Sequence, residues 1–129
     1  MSLLANYSND QLAAFKRLFD MAFQHLGTGG GNTCAKVLLG LYNGRRFPME
    51  MTDLRYLDLG NLDAAMTVIR ADSYRTYAEV HDVLDAIRGF ELPSTQSYLE
   101  NWAYLLRLKG RCTKGNLPSL AKPAAAEAS

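Results

Sequence analysis

The chain has 129 residues, of which 48% are hydrophobic and 21% charged, and its net charge is +1. That balance excludes an acidic disordered chain and a histone-like polycation, and the length fits one globular domain. About 100 ordered residues bury roughly two thirds of their unfolded surface, so neither metal nor disulfide is needed for folding.

Two cysteines, Cys34 and Cys112, stand far apart and form no CxxC pair, which leaves a zinc ribbon or a disulfide framework without support. Paired with an N-terminus, MSLLANYSND, that shows no secretory leader, and with no run near the ~18 apolar residues of a membrane span, two reduced thiols point to a cytosolic protein.

Helical spacing governs the chain. From Asn9, an N-cap with Asp10 in the first turn, Leu12, Phe15, Leu18, Phe19, Ala22 and Leu26 recur at three- and four-residue steps, and Gly27 stops the run. A second helix is expected from Asn32 or Thr33 to Asn43, with Gly44 ending it. Thr52 and Asp53 cap a short turn, Gly60 and Asn61 interrupt it, and a longer helix follows from Leu62 to about Arg70. Thr76 and Glu79 have the spacing of a capping box and predict a helix start there, with Val80, Val83, Leu84 and Ile87 inward, Glu79, Asp82, Asp85 and Arg88 in water, and Gly89 as terminator. A last helix begins at Ser97 with Glu100 as its box partner, or at Ser94 after Pro93. Its inward stripe is Leu99, Trp102, Ala103 and Leu106, and Gly110 closes it. The expected fold is therefore all-α, a small orthogonal bundle of about five helices over residues 1–115, with 116–129 a loose tail.

The segment LGTGGGNTCAKVLLG raises the question of phosphate binding, because a helix N-terminus behind glycines offers free amides and a positive dipole end. Thr28, Gly29, Gly30, Gly31 and Asn32 form a candidate anion-binding loop. The spacing is neither that of a P-loop nor of a dinucleotide-binding turn, no lysine is present, and no strand precedes it. The plainer reading makes Gly27 a left-handed cap, Gly29 to Gly31 a tight reversal, and Asn32 or Thr33 the next N-cap.

Thr28-Gly29, the aliphatic run Ala35 to Leu39, Asn43 and Thr52-Asp53-Leu54 carry a resemblance. The stretch from Phe23 to Asp58 resembles an uncharacterised domain-of-unknown-function family of short bacterial proteins found on plasmids, phages and integrated elements. The resemblance implies a mobile-element accessory protein of unknown activity, with no catalytic residue and no cofactor to carry over.

Enzyme chemistry has thin support. His81-Asp82 on a helix looks like the centre of an HD-type metal-dependent phosphohydrolase, but His25 is its only other histidine, and His81 with Asp85 at i, i+4 reads equally as a helix-stabilising pair. Cys34 with His25 lacks an orienting third group.

Charge is unevenly spread. Residues 101–122 hold Arg107, Lys109, Arg111, Lys114 and Lys122 and no acid, so the end of the last helix forms a candidate nucleic-acid-binding patch, Arg107, Lys109, Arg111 and Lys114. Basic residues there also complement the helix dipole. Finally, Phe47, Tyr56, Tyr74, Tyr77, Phe90 and Tyr98 fall near helix ends and loops, where exposed aromatics would centre an interface with a protein partner or a second copy. The first expectation is a non-enzymatic interaction protein, with nucleic-acid binding second and the phosphohydrolase a distant third.

Overall fold

The computed structural model describes residues 3–108. Five α-helices follow one another in them: α1 (Asn9–His25), α2 (Gly29–Tyr42), α3 (Leu59–Ser73), α4 (Val80–Ile87) and α5 (Thr95–Leu105), with 3-10 helices at Leu3–Asn6 and Met51–Tyr56. No strand occurs among the described residues, and the all-α expectation holds. The tail expected from Asn116 lies outside them, as do Gly110 and Cys112.

The apolar stripe of α1 buries Ala14, Phe15, Leu18, Phe19 and Ala22. These pack onto α2 and α3, the two helices that α1 touches most. Helix α2 is apolar nearly all round, as befits the centre of a bundle, and meets each of the other four helices. Its Cys34, Ala35, Val37, Leu38 and Leu39 are all buried. The far side of the core is aromatic. Phe19 lies 5.3 Å from Trp102 and 5.7 Å from Tyr98 between ring centroids, joining α1 to α5.

Several helix ends differ from the expected ones, each for a local reason. Ser8, not Asn9, caps α1: its hydroxyl accepts from Gln11 N at 3.1 Å while Gln11 Oε1 accepts from Ser8 N at 2.9 Å, a full capping box. Gly60 and Asn61 do not interrupt a helix. They form the first turn of α3, because Asp58 caps it by accepting from Asn61 N at 2.8 Å. The box expected at Thr76 and Glu79 does not form. Thr76 Oγ1 donates backwards to Asp72 O, and Glu79 becomes the N-cap of α4 through its backbone alone. Gly89, at φ +69, ends α4 as expected. Helix α5 starts from Ser94, whose hydroxyl accepts from Ser97 N at 3.2 Å, and stops at Leu105 without a glycine. Arg107 takes φ 58, so that Leu108 N reaches Ala103 O at 3.2 Å.

Asp85 and Arg88 also leave the solvated face expected for them. Asp85 Oδ1 accepts from Thr95 N at 2.8 Å, and Arg88 donates to Thr95 Oγ1 and to Pro93 O, both at 2.9 Å. The Arg88 guanidinium lies 4.8 Å from the Phe19 ring centroid and 5.0 Å from that of Tyr98, so α4 is pinned to the start of α5 through an arginine stacked on the core.

At the end of α3 burial works the other way. The Asp72 carboxyl is pushed above the ordinary carboxylate value by burial, with the Glu79 charge adding to it. A raised carboxyl costs stability in full above its folded value, and the cost fades as the pH falls from there and is gone below the unfolded value. Asp72→Asn is therefore expected to raise the thermal midpoint at pH 7, and the gain should shrink as the pH is lowered towards 4; a midpoint lowered at pH 7 would contradict this.

Candidate interaction surface

The glycine segment is a helix junction. Thr28 is the N-cap of α2, and Gly29, Gly30 and Gly31 are its first turn instead of a reversal before a cap at Asn32 or Thr33. The Thr28 hydroxyl accepts from Gly31 N at 3.0 Å and donates to His25 O at 2.7 Å. Asn32 Oδ1 reaches back to Gly27 N at 2.7 Å, and Gly27 takes φ +103. The Tyr56 ring lies against Gly29, where an added Cβ would sit 3.2 Å from Tyr56 Cδ1. This segment thus uses its own side chains to satisfy two of the amides that an anion would need, and none of Thr28 to Asn32 carries a charge.

Of the basic patch, Arg107 is exposed just after α5, and Lys109, Arg111 and Lys114 lie outside the described residues. His81 Nε2 is 3.7 Å from Asp82 Oδ1, and its ring meets Tyr42 edge-on at 5.3 Å. His81 Nδ1 is buried without a hydrogen-bond partner among the described residues. No group of three side chains able to hold a metal is found among the described residues. Cys34 is fully buried on α2, and burial pushes its thiol up to about 11, against the partial counter-effect of Arg17. It is a core residue, with little thiolate at neutral pH.

The six aromatics expected at an interface divide. Phe47 and Tyr98 are buried and belong to the core, a correction that follows from the stacking of Phe47 on Tyr42 and the edge-on packing of Tyr98 against Phe19 and Phe23. Tyr56, Tyr74, Tyr77 and Phe90 are exposed. Besides Met51, Leu92 and Leu105 elsewhere, the structure adds two exposed apolar side chains on α3, Leu59 at 72% and Met66 at 51%. Sequence reading missed both, because a helix started at Leu62 leaves Leu59 in a loop and hides its seven-residue spacing to Met66. With α3 beginning at Leu59, one outer strip carries Leu59, Asp63, Met66 and Arg70 and ends in Tyr74, the C-cap residue, all of them exposed. Leu62 and Ile69 are half-buried on the flank of the strip, and Ala64, Ala65, Val68 and Ala71 form the opposite, buried face.

A second unforeseen constellation ties α2 to α5. Glu100 accepts from Arg46 Nη1 and Nη2, each at 2.6 Å, and from the Tyr42 hydroxyl at 2.7 Å, while Gln96 Nε2 donates to the same hydroxyl at 3.0 Å. The Arg46 guanidinium also rests 4.6 Å from the centroid of the Phe47 ring. Bidentate pairing with a half-buried carboxylate gives this group structural rather than recognition character.

Residues 12–94 match a family of unknown function, DUF7673, and a match over well more than half of the chain places the protein in that family. The matched span runs from α1 to the N-cap of α5 and contains the whole of α3. No curated protein and no solved structure matches the chain.

Proposed function

We propose that the chain is a non-enzymatic interaction protein that works by burying the outer strip of α3 against another protein surface. The supporting observation is that three of its exposed large apolar side chains, Leu59, Met66 and Tyr74, lie on this one element and its cap. Isolated exposed apolar residues are ordinary on any surface, whereas several aligned on one helix are what a partner's groove or helix reads. A role as a cytosolic accessory protein of a mobile element belongs to the same proposal and rests on the resemblance at Phe23 to Asp58 and on the reduced-thiol reading of the cysteines.

Light scattering on the eluting full chain, with and without a short DNA duplex at low and moderate salt, tests the reading. The expected result is elution indifferent to DNA at either salt concentration. A monomer that shifts with duplex at low salt and releases it at higher salt overturns it in favour of the basic segment from Arg107 to Lys114.

A further inference from the structure

We infer that the partner of the α3 strip is a second copy of the same chain, paired antiparallel through α3 about a two-fold axis beside Met66; this rests on the interaction reading above. The strip is self-complementary. Asp63 and Arg70 are both exposed, of opposite sign, and neither side chain enters an ion pair or hydrogen bond among the described residues. They stand seven residues apart, about 10 Å along the axis, too far to meet each other and about equally distant from a point next to Met66. Turning a second α3 end for end about that point sets each Asp63 beside the other copy's Arg70, twice per dimer. That same register brings Leu59 opposite Tyr74 of the other copy and the two Met66 side chains together at the axis. A parallel pairing would instead place Asp63 beside Asp63 and Arg70 beside Arg70, so charge selects the antiparallel arrangement. An interface of this kind is isologous and closes at two copies. The half-buried Leu62 and Ile69 widen its apolar centre on one flank.

One helix pair buries less than the roughly 800 Å² per partner of a standard stable interface, so association is expected at micromolar concentrations, not nanomolar ones. Sedimentation equilibrium of the full chain from about 5 to 500 µM covers that regime. The wild-type mass should rise towards twice that of the chain, and Met66→Glu should leave a monomer with unchanged helical circular dichroism. Asp63→Arg and Arg70→Asp alone should each raise the dissociation constant about 10-fold or more, since each makes two like-charge contacts per dimer. Mixed in equal amounts, these two variants should regain association, because the chain with two arginines on its strip then faces the chain with two aspartates, and both contacts across the axis join opposite charges. A wild type that stays monomeric throughout, a dimer indifferent to Met66→Glu, or a mixture that associates no better than its parts overturns the inference. Those results concern α3 pairing alone; the broader interaction reading fails on the DNA-dependent shift described above.

Discussion

Gly31→Ala is expected to lower stability by about 3 kcal/mol or more, while Gly30→Ala, one residue earlier, should raise it by about 0.5–1 kcal/mol. A Cβ on Gly31 would sit 2.0 Å from the carbonyl oxygen of His25 and 2.4 Å from its carbon. Both are backbone atoms at the end of α1, so no rotamer change relieves the clash, and α1 and α2 must move apart at the junction that anchors the core. Moving them also strains the hydrogen bonds from Gly31 N to Thr28 and from Thr28 to His25. At Gly30 a Cβ would meet nothing within 4 Å, and alanine there only restricts the unfolded chain and favours helix. Thermal melts of the two variants against wild type read the difference as a fall of roughly 10 °C beside a small rise. Equal midpoints would mean that α1 and α2 do not meet as described.

The contrast shows where sequence reading succeeds and where it stops. Amphipathic stripes were legible because burial follows helical period: Phe15, Leu18 and Phe19 on α1 and Val80, Val83 and Leu84 on α4 are all buried where the spacing put them. Gly31 was legible as a helix-junction glycine but not as a first-turn residue, because the atom that forbids a side chain belongs to the preceding helix. Thr76 and Glu79 had the right spacing for a box, but Thr76 also stands four residues after Asp72, whose carbonyl at the end of α3 competes for its hydroxyl, and spacing alone does not say which wins. The interaction strip was hidden by one boundary: moving the start of α3 from Leu62 to Leu59 aligns Leu59 with Met66 and reveals Asp63 and Arg70 on the same side. Lone charges at such spacing carry little signal until the opposite face is known to be buried. The Arg46–Glu100 pair was beyond reach for a different reason, since 54 residues separate the partners and only the packing of α2 against α5 brings them together.

That pair supplies the second large effect. Arg46→Ala is expected to cost about 2–3 kcal/mol, because it strands a carboxylate whose side chain is only 21% exposed with the Tyr42 hydroxyl as its main remaining donor. Replacing both partners, as in Arg46→Met with Glu100→Leu, should cost less than Arg46→Ala alone, since no charge is then left half-buried. The pH dependence carries the same signature. Arg46 bonding holds the Glu100 carboxyl below the usual carboxylate value, with burial opposing it. A carboxyl depressed in the folded state contributes stability that is complete above its unfolded value, near ~4.3, and is lost as the pH falls through the folded one. Wild type should therefore unfold at a higher urea concentration than Glu100→Gln at pH 6, and the gap should narrow between about pH 5 and pH 3. Asp72 titrates with the opposite sign, but it is present in both chains, so its contribution cancels in the gap, which reads Glu100. A gap that stays constant through acid would mean that the pair is held by packing of Tyr42 and Phe47 and not by charge.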